Sequence, residues 1–65
     1  MDTILRAPDV EKATGLTERS LRIMEAEGTF PKRFTLNPTG GRAVGWRASE
    51  VQSWIEERAA SREAA

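Results

Sequence analysis

Sixty-five residues without a single cysteine or histidine exclude disulfide staples, zinc sites built on thiolate or imidazole, and nucleophiles of the Cys/His type. A chain this short buries only ~60% of the surface its unfolded form exposes, enough for one small domain and too little for a walled catalytic cleft. Ten basic residues balance ten acidic ones, yet residues 30–47 contain Lys32, Arg33, Arg42 and Arg47 and no acid, while every flanking segment is slightly acidic, so the charge is polarised rather than absent.

The opening MDTILRAPD has neither the basic region nor the apolar block of a signal peptide, and no stretch approaches the ~18 apolar residues of a membrane span. A cytoplasmic protein with no membrane partner is expected. Pro8, followed by Asp9 and Glu11, predicts a helix over residues 8–14: proline is suited to the first turn and the acids complement the helix dipole. Val10 and Ala13 are expected to share its inner face, and Gly15 ends it. Thr17 is a good N-cap for a second helix over 17–27, with Leu21 and Met24 inward, Gly28 as its stop, and Ser20 where a complete capping box would have Glu or Gln. Two helices joined through so short a turn have the sequence shape of a helix-turn-helix.

From residue 33 to 47 the period changes to two. Phe34 and Leu36, then Val44 and Trp46, are expected on the inner face of a hairpin, with Arg33, Thr35 and Arg47 opposite. The intervening NPTGG supplies the turn. Helical period returns over 48–62, with Val51, Trp54, Ile55 and Arg58 on one stripe, and the closing ASREAA is expected to fray. The predicted fold class is α+β, mostly helical, in the order helix, helix, β-hairpin, helix. Its expected core is Leu5, Val10, Ala13, Leu16, Leu21, Met24, Phe30, Leu36, Val44, Trp46, Val51, Trp54 and Ile55.

Two groups of residues can carry function. On the second helix Thr17, Arg19, Ser20, Arg22 and Ile23 lie on the flanks and outer side if Leu21 and Met24 face inward. Arginine there can pair bidentately with guanine, and hydroxyls can reach phosphates or bases. The competing reading is a solvated face steadied by a Glu18–Arg22 pair one turn apart. It leaves Arg19 without a partner and an exposed Ile23, which can touch a thymine methyl or a second protein copy. In the hairpin, Lys32, Arg33, Arg42 and Arg47 lie beside Thr39, Gly40 and Gly41, whose backbone amides can approach an anion. A loop charged only to turn would not need charge of one sign. Phe30, Phe34 and Trp46 can stack on single-stranded bases, but the spacing of both tryptophans suits core packing better. Glu25, Glu27, Glu56 and Glu57 show no acid/base arrangement and are read as solvated surface.

ILRAPDVEKATGLTERSLRIMEAEGTFPK followed by GGRAVGWRASEVQSWIEER resembles the AlpA family of small phage-type DNA-binding regulators, over roughly residues 4–58. The most specific parts are EGTFPK and RAVGWRASEVQSWI. The resemblance implies a single winged helix-turn-helix domain over residues 1–65, with a MerR-like fold shared with phage excisionases. It places a recognition helix at 17–27 in the major groove and the hairpin, as the wing, on adjacent backbone or minor groove. Thr17, Arg19 and Ser20 match the polar start of that helix, Lys32 the basic residue after FP, and Arg42 and Arg47 the positions flanking AVGW. Arg22 stands where the family usually has an aromatic and Ile23 where it has a basic residue. The loop TLNPTGG is also longer than the family's hairpin tip.

The expected function is therefore sequence-specific binding of double-stranded DNA as a transcriptional regulator of a prophage or integrative element, without enzymatic activity or cofactor. One alternative is an excisionase that bends attachment-site DNA alongside an integrase. Another, of a different class, is a protein-interaction module or anti-repressor. Because one small module buries limited DNA surface, self-association or cooperative assembly on DNA is expected.

Overall fold

The computed structural model describes residues 2–64. In chain order they form strand β1 (Ile4–Leu5), helix α1 (Ala7–Thr14), helix α2 (Glu18–Glu27), strands β2 (Phe34–Thr35) and β3 (Val44–Arg47), and helix α3 (Ala48–Ala64). The helices stand within a residue or two of their expected bounds. The strands form one antiparallel sheet in the order β1-β3-β2.

The first two helices are ended by the chemistry the sequence suggested. Gly15 adopts φ 75° and Gly28 φ 81°, a left-handed region that residues with a Cβ enter at a penalty. Thr17 caps α2, its Oγ1 accepting from the Ser20 amide at 3.2 Å. Ala13, expected inside, is exposed. The inward stripe of α1 instead runs through Ala7, Val10, Glu11 and Thr14 at helical spacing, and the Thr14 hydroxyl donates to the Val10 carbonyl at 2.7 Å.

The core is Val10, Leu21, Phe30, Trp46 and Val51, with Leu5, Ala7, Leu16, Met24, Trp54 and Ile55 packed against it. Phe30 is its pivot. Its ring lies edge-on to Trp46 at 6.2 Å and to Trp54 at 4.9 Å, contacts worth about 0.5–1.5 kcal/mol each beyond area burial. Both indole N–H groups donate into the connection between α2 and β2: Trp46 to the Pro31 carbonyl at 2.8 Å and Trp54 to the Thr29 carbonyl at 2.7 Å. The motif around Phe30 is thus fixed from both sides, and it sets where the hairpin leaves α2. Past Ile55 most of α3 is exposed, so its last turns project beyond the core and the molecule extends 45 × 28 × 19 Å.

Two features of the sheet depart from expectation. Strand β1 has no counterpart in the sequence reading. It pairs Leu5 with Trp46 and Ile4 with Arg47, and it is held close by Gly45, where a Cβ would stand 2.6 Å from the Leu5 carbonyl oxygen and 2.9 Å from the Ile4 side chain. Phe34 is the second departure. It pairs with Gly45, and Thr35 with Val44, so Phe34 shares the outer face with Ile4 and Arg47 while Trp46 points to the core. Register parity decides the face of every side chain in a strand, and the alternation of β2 is one residue out of phase with that expected. Phe34 is accordingly 39% exposed rather than buried.

Candidate nucleic-acid interface

Helix α2 is tethered at three points, and its outward residues take their placement from them. At its start the Glu18 amide donates to the Glu11 carboxylate of α1 at 2.9 Å, so an internal acid satisfies the N-terminal amide that an anion would otherwise seek. Along its length Leu21 is fully buried. On its flank Glu18 and Glu25, two helical turns apart, both bind Arg33 from the start of the hairpin. Of the residues expected at a groove, Thr17, Arg19, Arg22 and Ile23 are outward, with Ile23 49% exposed, and Ser20 is half-buried.

Arg33 requires a correction. It was expected to be offered outward with the other hairpin cations, but its guanidinium is taken up inside the protein. Nε and Nη2 donate to the Glu25 carboxylate at 2.6–3.1 Å and Nη1 donates to Glu18, while the guanidinium carbon lies 4.5 Å from the centre of the Trp46 ring. Both Arg33 and Glu25 side chains are only 12% exposed. Glu25, expected as solvated surface, is half of this pair. Burial pushes its carboxyl up, and the hydrogen bonds from the Arg33 side chain and backbone outweigh it, leaving the carboxyl below its ordinary 4.5. The Glu25 bonds raise the Arg33 guanidinium further above its usual value. A sequence signal for this existed: Glu18 and Glu25 are spaced to present two carboxylates along one helix face.

The other hairpin residues divide. Lys32 and Arg42 are exposed, and among the described residues neither makes an ion pair; the same holds for Arg19 of α2. Arg47 is exposed but its Nε donates to Asp2 at 2.9 Å, on the sheet's outer face away from the hairpin turn. Asp2 also accepts from the amide and hydroxyl of Ser49 at the start of α3. Those Ser49 bonds, with help from Arg47, hold the Asp2 carboxyl at about 2. At the turn, Asn37 binds its neighbours: Oδ1 accepts from the amide and hydroxyl of Thr39 at 3.0 and 2.7 Å, and the carbonyl accepts from the Gly40 amide at 3.2 Å. The amides of Thr39 and Gly40, expected to face an anion, are thereby engaged in the turn, and Gly40 and Gly41 both take positive φ to close it.

The Glu18–Arg22 pair is present, with Arg22 Nε 2.9 Å from Glu18 Oε1. Glu18 Oε1 therefore serves two arginines, and Glu18 Oε2 is buried without a hydrogen-bond partner among the described residues. No helix of the described residues is long and apolar enough to cross a membrane.

A family model, the prophage CP4-57 regulatory protein (AlpA), matches residues 3–59. The chain belongs to the AlpA family of prophage regulatory proteins. Uncharacterized protein ORF88 of Enterobacteria phage P4 is 34% identical to this AlpA-family chain over 61 residues, 94% of the chain and 66% of the relative. The chain thus spans about two thirds of that relative's length. No solved structure matches it. The family match takes in β1, both tethered helices, the hairpin and the first turns of α3, so every residue of the candidate interface lies inside it.

Proposed function

We propose that this AlpA-family chain is a winged helix-turn-helix protein that binds double-stranded DNA and regulates transcription from a prophage or integrative element. In this reading α2 enters the major groove with Arg19, Arg22 and Ile23 toward base edges and Thr17 and Ser20 toward backbone or base. The hairpin lies on adjacent phosphates through Lys32 and Arg42. The observation that carries it is the fixed outward presentation of α2. Contacts to Glu11 and Arg33 and the burial of its own Leu21 commit one face of the helix to the protein, and the opposite side keeps the polar and cationic residues that groove recognition uses.

A mobility-shift assay with duplexes from the element's promoter and attachment regions tests it. Binding is expected at ~50 mM salt and should weaken steeply as salt rises, because each phosphate contact releases counterions. Absence of any shift at that salt would rule the reading out. Bending of attachment-site DNA in a circular-permutation assay would move the function toward an excisionase acting beside an integrase. A shift that grows sharply with protein concentration would add cooperative assembly. Exposed Ile4 and Phe34 on the outer sheet face support a protein-interaction role, which a DNA-negative chain would leave standing.

A further inference from the structure

We propose that Glu18 is a specificity-determining residue of the interface: it holds Arg22 on the protein when no DNA is present and releases it to an acceptor in the groove when matching DNA arrives. The inference rests on the DNA-binding reading above.

Two arginines of different standing share Glu18. Arg33 is fastened from several sides, by Glu25 through three side-chain hydrogen bonds and by the face of Trp46 beneath it. Arg22 has a single contact of this kind, Nε to Glu18 Oε1, and its side chain is 69% exposed. When Arg22 leaves, Arg33 remains on Glu18, so the half-buried carboxylate is not stranded as an uncompensated charge. An exposed pair on one helix face is weak. Arg22 is therefore held firmly enough to be withheld from a poor site and loosely enough to be taken by a good one.

Arg19 sharpens the point. It lies on the same outward side of α2, and one turn beyond it stands Ile23 rather than an acid. Among the described residues it has no ion pair. Arg19 is a standing cation available to any duplex, whereas Arg22 is conditional. On DNA that offers Arg22 no acceptor the pair persists, whereas on matching DNA Arg22 must give it up, so Glu18 competes with the groove for this side chain and sets how much its acceptor counts.

The test is a double-mutant cycle read by binding. Glu18→Gln, Arg22→Ala and the double variant are titrated, beside the parent, against duplexes from the element's promoter and attachment regions and against a random-sequence duplex. Glu18→Gln is expected to tighten binding to the element's DNA by about two- to fivefold, the factor an exposed ion pair supplies, because the pair no longer has to be broken there, with a smaller gain on the random duplex and so a change of preference. In the Arg22→Ala background the same change should have no effect. A gain of equal size in that background would mean that Glu18 acts by its own field, and would overturn the proposal. Glu27→Gln, removing an exposed acid from the same helix, should leave the preference unchanged. If the parent binds neither duplex, the DNA-binding reading fails and takes this one with it. If the parent discriminates and Glu18→Gln does not alter that, only this inference fails. A readout on the parent guards against misfolding of variants: the Arg22 Nε–H resonance should shift between the free protein and its complex with the element's DNA, and an unchanged resonance overturns the proposal.

Discussion

Arg33 and Arg42 lie in the same acid-free stretch and do opposite things. Arg33 sits on Trp46 between two carboxylates, 12% exposed, and fastens the hairpin to α2. Arg42, at the far end of the turn, is exposed and without an ion pair among the described residues. Nothing in the arginines themselves separates them. The difference is made by α2, which puts Glu18 and Glu25 within reach of the hairpin's start, and by β3, which puts an indole face beneath it. A run of like charge in a sequence is therefore a mixture until partners are placed in space: part of it is internal structure and only the remainder is offered to a ligand.

The largest expected effect breaks the internal member of that pair. Arg33→Ala should destabilise the domain by about 2–4 kcal/mol, because it leaves the Glu25 carboxylate enclosed without a counter-charge. Chemical denaturation measures it. Loss of less than about 0.5 kcal/mol would place Arg33 with ordinary surface cations and remove the contrast. The pH dependence follows the same pair. Glu25 ionises below its ordinary 4.5 in the folded protein, so its contribution is complete above 4.5 and fades as the pH falls through the lowered folded value.

How much of this was legible beforehand depends on the range of the interaction. Helix ends were readable because Gly15, Thr17 and Gly28 act within a few residues of themselves, and the buried positions of α2 followed from a single period. Strand β1 was not readable, since two residues carry no period and Ile4–Leu5 pairs with Trp46–Arg47, far along the chain. The facing of Phe34 failed for a related reason: alternation was seen in both strands, but the register that fixes their relative phase is a tertiary choice. Arg33 is the instructive case for the site. Its charge was visible, and so was the spacing of Glu18 and Glu25, but only the Trp46 platform and the bend at Phe30 bring them together.

A smaller effect concerns the sheet that carries the hairpin. Gly45→Ala should cost about 1–3 kcal/mol, because a methyl group there meets the Leu5 carbonyl oxygen and must displace backbone. The loss should be concentrated in β1: amide exchange at Leu5 and Trp46 should rise more than exchange in α2. Uniform loosening would mean that Gly45 supports the whole core rather than the close approach of one strand. Asp2 guards the same strand by other means. Its carboxyl titrates at about 2 rather than 3.8. The sign is that of a depressed acid, so its support is complete above 3.8 and lost as the pH falls through about 2. A carboxyl NMR titration should place its midpoint there, and Ser49→Ala should move it upward.

The smallest effect on stability is the one that completes the contrast. Arg42→Ala should change the unfolding free energy by less than about 0.5 kcal/mol, since an exposed, unpaired side chain contributes little to the fold. Its consequence should appear only with DNA: affinity falls on all sequences alike, and the slope of log K against log salt becomes shallower by ~0.9, the signature of one lost phosphate contact. Arg19→Ala, equally silent in unfolding, should instead change which sequence is preferred. If Arg42→Ala leaves both affinity and salt slope untouched, the unpaired end of the basic stretch is no more a ligand contact than Arg33 is. The charge offered to DNA would then have to be sought on α2 and at Lys32.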